Sequence, residues 1–254
     1  IDGVELDFCR HPAMFRREEA FQNRYLMTDL IKRVRARMNE VGKERNKKIL
    51  LAVRVAQTLD RSTEIGLDVR KWMKDGIVDI VTAGIGWMPF SLPLPEFVEA
   101  AKGTNCQIYG CIEGLRPHVD DTLLRGTATK FWNQGASGIH LYNYFTMHPQ
   151  WWDRMLNELS DPKNLTGLNT CYEIEDSGRY TYTGHGDAFQ NASIPEQLPA
   201  TLRETLTDRG AIFEIEISDD IETAVKSKTL ETCVLGFEMD NYAPTHELSV
   251  KVND

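Results

Sequence analysis

The chain has 254 residues, 41% of them hydrophobic and 26% charged, with a net charge of -9; this is an ordinary soluble composition, long enough for one large or two ordinary domains, with enough apolar material for a sizeable core. The one basic cluster, Lys43-Glu44-Arg45-Asn46-Lys47-Lys48, reads as a helix end, so nucleic acid is not expected as a partner. Every apolar run is of strand length, so neither a membrane span nor a signal peptide is read from the sequence.

The chain starts without an initiator methionine on Ile1-Asp2-Gly3-Val4-Glu5-Leu6-Asp7-Phe8. At a side-chain period of two, Gly3, Glu5 and Asp7 share one face and Val4, Leu6 and Phe8 the other. A helix follows over residues 17–41, with Phe21, Leu26, Leu30, Val34 and Met38 proposed as its buried stripe and Gly42 as its stop. Strand-like runs recur at 49–55, 78–83, 107–112 and 138–142, separated by helical stretches near 68–74, 95–101, 120–134 and 149–159. Strands alternating with helices predict parallel βαβ units.

About five such units fill residues 1–162, whereas a closed (β/α)8 barrel has eight. With no glycine-rich phosphate loop after the first strand to favour an open, doubly wound sheet, the expected fold is the C-terminal portion of a TIM barrel whose upstream strands lie outside this sequence. A secreted or periplasmic location is compatible with such a start. From 163 to 254 the texture changes to alternating runs at 179–183, 211–217, 232–237 and 247–252. These predict a small antiparallel β-sandwich, itself cut short at Asp254.

If the five strands are the last five of eight, Asp7 ends the fourth and Glu113 the seventh, and both point into the catalytic mouth. Two carboxylates at strand tips suit cleavage of a glycosidic bond: one donates a proton to the leaving oxygen while the other attacks or activates water. Arg54 falls on the inward face of its strand beside Glu5 and Asp7, where a cation favours the ionised carboxylate. Arg10 and His11, in the loop after the first strand, are placed to hydrogen-bond hydroxyl groups. Trp87, in a glycine-containing loop, could stack on a sugar ring. His140, Tyr142 and Asn143 at the last strand would complete a wet pocket.

Five scattered cysteines without CxxC spacing read as mostly free thiols, and six histidines without HxH or HExxH spacing give no metal site. With no Gly-x-Ser-x-Gly elbow and no dinucleotide fingerprint, no cofactor is expected. The runs Asp2-Gly3-Val4-Glu5-Leu6-Asp7-Phe8 and Trp72-Met73-Lys74-Asp75-Gly76-Ile77-Val78-Asp79-Ile80-Val81 resemble the bacterial glycosyl-hydrolase-like proteins of the family-ten-like type. The resemblance implies a TIM barrel acting on glycosidic bonds of a carbohydrate, often with an appended β-sandwich, and carries Asp7 as the acidic strand tip. Phe8 stands where the family pattern has a second Asp. A barrel that binds glycans without cleaving them is the competing expectation.

Overall fold

A computed structural model describes residues 1–9, 14–84, 92–114, 120–145, 147–174, 197, 198, 200, 211–243, 245 and 247–253. The chain divides into two units, Ile1–Asp219 and Asp220–Asp254. The first carries β1 (Gly3–Asp7), α1 (Arg17–Glu44), β2 (Leu50–Val55), α2 (Leu59–Glu64), α3 (Val69–Lys74), β3 (Ile80–Ala83), α4 (Leu94–Ala101), β4 (Gln107–Glu113), α5 (Asp121–Asn133), β5 (Gly138–Tyr142), α6 (Pro149–Leu159) and α7 (Pro162–Leu165). The second carries α8 (Ile221–Ser227).

All four strand pairings are parallel, and the spatial order is β1-β2-β3-β4-β5. A doubly wound sheet would reverse direction at a switch point; here each crossover advances one strand the same way. With right-handed crossovers that places the helices on one face. Leu51, Val53, Val55, Val81, Ala83, Ile108 and Ile112 form the buried side of the sheet together with Trp72, Phe97, Leu124 and Phe131 from the helices.

Two contacts show that the sheet is curled. His140 Nδ1 on β5 lies 3.6 Å from Glu5 Oε2 on β1, although four strand spacings of about 4.8 Å would separate those strands by about 19 Å in a flat sheet. The Arg54 guanidinium on β2 sits 3.8 Å from the Tyr142 ring centroid on β5. Side chains standing perpendicular to a flat sheet cannot converge in this way, so the strands bend into a half-barrel with one concave face.

At the N-terminal ends of the strands, Arg35 of α1 reaches under the sheet. It donates from Nε to the Ile77 carbonyl (3.0 Å) and from Nη1 to the Ile49 carbonyl (3.1 Å), and pairs through Nη2 with Asp79. Asp79 also accepts from Leu51 N (2.8 Å) and pairs with Lys48 (2.7 Å). Burial opposes ionisation of this carboxyl, but the bonds from Lys48, Leu51 and Arg35 outweigh it and hold Asp79 below the ordinary aspartate value.

The structure corrects the expected helix stripe. Phe21, Leu26 and Leu30 are exposed, and the buried line is Ala20, Met27, Ile31 and Met38. Helix α1 also runs through Gly42 to Glu44, and the chain then returns over this glycine: a Cβ at Gly42 would lie 2.6 Å from the Lys47 carbonyl oxygen. The close approach, and not a helix stop, requires glycine there.

The predicted antiparallel β-sandwich is overturned. Among the described residues the five parallel strands form the only sheet. Residues 211–217, 230–239 and 247–253 carry no strand, and Ile212, Val234 and Val252 are 89%, 81% and 66% exposed. Alternation makes a strand only where a neighbour takes up its backbone groups and covers its apolar side. The run at 179–183 lies outside the described residues. Between these stretches, α8 forms on local signals: Asp220 caps Thr223 N at 2.9 Å, and Lys226 pairs with Glu222 one turn back.

Candidate functional site

The concave face is built from residues in register across the strands. One row is Glu5, Ala52, Ile80 and Gln107; the next is Asp7, Arg54, Thr82, Tyr109 and Gly138; beyond it Cys111 pairs with His140 and Glu113 with Tyr142. Each residue belongs to the face opposite the buried aliphatic set, so the inward parity follows from the period of two once one face is covered by helices. Curling then brings β1 and β5 side chains together over Arg54.

Arg54 is fully buried, and its Nη2 donates to Asp7 Oδ2 at 2.6 Å. The other carboxylate oxygen, Oδ1, accepts from Cys9 N at 2.8 Å, a local turn that fixes the aspartate where β1 ends. Asp7 keeps 36% side-chain exposure while its partner keeps none. The guanidinium face is covered by Tyr142, so this tyrosine spends a ring face on holding Arg54. Burial opposes the charge on Arg54, but the Asp7 hydrogen bond and the neighbouring acidic groups outweigh it and hold the guanidinium above its usual value. Arg54 Nε and Nη1, and both amide atoms of the fully buried Gln57 after β2, have no hydrogen-bond partner among the described residues.

Cys9 and Cys111 flank this cluster. Both are buried and free, and the Cys9 thiol donates to the Arg54 carbonyl oxygen at 3.5 Å. Burial raises both thiols, Cys111 to about 12 and Cys9 well above its ordinary value. They are therefore poor nucleophiles at neutral pH.

Glu5 and His140 close the hollow. Burial raises the Glu5 carboxyl above its ordinary value, with Arg54 opposing the shift and Asp7 adding to it. Burial first, and then the Arg54 charge, lowers His140 from 6.5 to about 4, against the pull of Asp7. The native protein thus keeps this imidazole neutral where the unfolded chain protonates it. Proton uptake by the unfolded chain therefore costs no stability above pH 6.5 and removes roughly 2–3 kcal/mol as pH falls toward 4. Glu5, shifted upward, contributes in the opposite sense, so the comparison must isolate the histidine. Urea unfolding of His140→Asn is expected to show a shallower decline than the parent between pH 6.5 and 4; parallel curves would refute the assignment.

Glu113 ends β4 and is 2% exposed. Asn143 donates to both of its oxygens, at 3.1 and 3.2 Å. This asparagine has φ of 63°, a left-handed conformation that asparagine tolerates better than most residues. The Tyr144 hydroxyl donates to the Glu113 carbonyl oxygen at 3.5 Å, and Tyr144 stacks on Trp151 with ring centroids 5.4 Å apart. The tryptophan-rich α6 therefore supports this rim through ring packing.

Glu5, Asp7, Arg54, Glu113, His140, Tyr142 and Asn143 are thus brought together at or next to one concave surface. Arg10, His11 and Trp87 lie outside the described residues. The sequence reading did not anticipate the Tyr142 lid on Arg54, the Asp7 turn through Cys9 N, or buried Gln57. Only the Asp7-Phe8-Cys9 step carried a local signal, since aspartate commonly accepts from the backbone two residues on.

Among the described residues no group of three or more His, Cys, Asp or Glu side chains is placed to hold a metal ion, and no helix is long and apolar enough to cross a membrane. Compared with known proteins, the chain matches no protein-family model and no curated protein sequence.

Proposed function

We propose that the concave face binds a glycan and hydrolyses one of its glycosidic bonds. The observation that carries this reading is Asp7: a carboxylate at the C-terminal tip of a parallel strand, one-third exposed, with one oxygen held by a buried arginine and the other by a backbone N–H. Such fixed orientation is what a carboxylate needs to activate a water or attack an anomeric carbon, and the C-terminal ends of barrel strands are where such enzymes do chemistry. Nearby Glu5, which burial pushes toward the protonated form, is the kind of carboxyl group that acid-base hydrolysis uses as a proton donor. The resemblance of the first strand to glycosyl-hydrolase-like proteins points the same way.

The test is release of reducing ends from a panel of oligosaccharides and polysaccharides. Hydrolysis of at least one, abolished by Asp7→Asn, is the expected result. A non-catalytic, glycan-binding reading is favoured by one observation, the burial of Glu113 to 2%, which denies a substrate direct access to that acid. Thermal stabilisation by a glycan that is never cleaved would select it. Neither binding nor cleavage across the panel would end both readings.

A further inference from the structure

Glu5 and Asp7 are successive inward residues of β1, and each keeps 36% side-chain exposure. Glu113, the other inward acid near the hollow among the described residues, keeps 2% as a residue. A proton donor has to come within hydrogen-bond reach of the leaving oxygen, so access separates these acids before any question of acidity. Resting on the glycosidase reading, we propose that Glu5 is the proton donor to the leaving group, that Asp7 is the base that activates water, and that cleavage proceeds with inversion at the anomeric carbon.

Three features support the assignment. First, two residues of a parallel strand advance about 6.6 Å along the backbone, and the two side chains then turn apart, Asp7 to Arg54 of β2 and Glu5 to His140 of β5, which favours the wider carboxyl spacing of roughly 6.5–9.5 Å that leaves room for a water molecule opposite the leaving group. A sugar lying across β1, with its anomeric carbon between the two side chains, meets both. Second, the two acids have different partners. Asp7 is bound by the Arg54 guanidinium and Cys9 N, whereas Glu5 meets His140 from β5 at 3.6 Å, a neutral imidazole at neutral pH. Third, the charged groups acting on Glu5 are Arg54 from β2 and Asp7 from its own strand, and burial outweighs the arginine to raise its carboxyl. Glu5 therefore retains its proton to higher pH than an ordinary glutamate.

In the step itself, Asp7 takes a proton from water as the water oxygen bonds to the anomeric carbon. The bond from that carbon to the leaving oxygen breaks, and the leaving oxygen takes the Glu5 proton. One water is consumed and two hydroxyl-terminated products form. Asp7 is left protonated and Glu5 ionised, and exchange of a proton with solvent restores both.

The experiment uses phenyl and 2,4-dinitrophenyl glycosides of glucose, galactose, mannose and xylose in both anomeric forms. A dinitrophenolate departs without protonation, so removing the acid harms only the phenyl substrate. Glu5→Gln is expected to lower kcat on the phenyl glycoside by about 10²–10⁴-fold and to stay within about tenfold of the parent on the dinitrophenyl glycoside. Glu5→Ala should repeat this pattern. Proton NMR of the first sugar released by the parent should show the inverted anomer. Equal losses on both substrates, the leaving-group pattern appearing in Glu113→Gln instead, or a retained anomer would each overturn the assignment while leaving the glycosidase reading in place. Failure of the parent to hydrolyse any of these glycosides or any member of the oligosaccharide panel would overturn the glycosidase reading itself.

Discussion

Asp7→Asn is expected to lower kcat on the best glycoside by about 10²–10⁴-fold, on phenyl and dinitrophenyl substrates alike, because activation of water is needed whatever the leaving group. The same change should also weaken the fold. Arg54 is fully buried and Asp7 is the acceptor of its Nη2. The amide oxygen of asparagine can still accept that bond, but the charge loses its nearest counter-ion. A loss of about 1–3 kcal/mol is expected, since Asp7 is partly solvated and the effect is smaller than for a wholly buried pair. Combining Asp7→Asn with Arg54→Met should recover most of that stability, because an apolar chain of similar length needs no counter-ion. It should recover none of the turnover. Restored turnover in the double variant, or near-parent turnover in Asp7→Asn alone, would remove Asp7 from the chemistry.

Asp79→Ala is expected to cost about 2–4 kcal/mol in chemical denaturation, somewhat below the range for breaking one partner out of a wholly buried ion pair because both side chains keep some solvent contact. Arg35 and Asp79 have side-chain exposures of 11% and 14%, and the aspartate also takes up Leu51 N. Lys48 pairs with the same carboxylate but is 68% exposed, so Lys48→Ala should cost less than about 1 kcal/mol. The lowered Asp79 value means that its contribution is present above the unfolded-state value of about 3.8 and is lost as pH falls through the folded value. The clamp lies at the N-terminal ends of the strands, the stability side of barrel-like folds, so kcat should be unchanged in the folded fraction. Equal costs for Asp79→Ala and Lys48→Ala would show that the clamp is only surface charge.

Local pattern carried most of the parallel half of the molecule. The five strands and the helices at Val69–Lys74, Leu94–Ala101, Asp121–Asn133 and Pro149–Leu159 lie close to where periodicity and breakers put them. Apolar runs of strand length separated by Gly-terminated helices leave few other arrangements. Helix α2 escaped notice because its six residues, Leu-Asp-Arg-Ser-Thr-Glu, hold too few apolar positions to show a period. It forms on the Thr58 cap, which accepts from Arg61 N at 2.9 Å. Helix α1 was visible as a helix but not in rotation: Phe21, Leu26 and Leu30 compete with Ala20, Met27 and Ile31 for the same face, and only the packed sheet decides between them.

The sequence by itself determined that Glu5 and Asp7 share a face of β1 and that Arg54 shares the corresponding face of β2, because side chains alternate with a period of two and parallel neighbours keep register. Tertiary structure alone decided which acids are reachable, that Tyr142 covers Arg54, and that His140 meets Glu5 across the hollow. Those contacts join β2 or β1 to β5 through the curl of the sheet, a collective property of strand twist and helix packing that no local window contains. The same dependence on distant neighbours explains why the alternating runs within 211–217, 230–239 and 247–253 carry no strand: their alternation encodes a capacity for pairing, and a strand itself requires a partner strand.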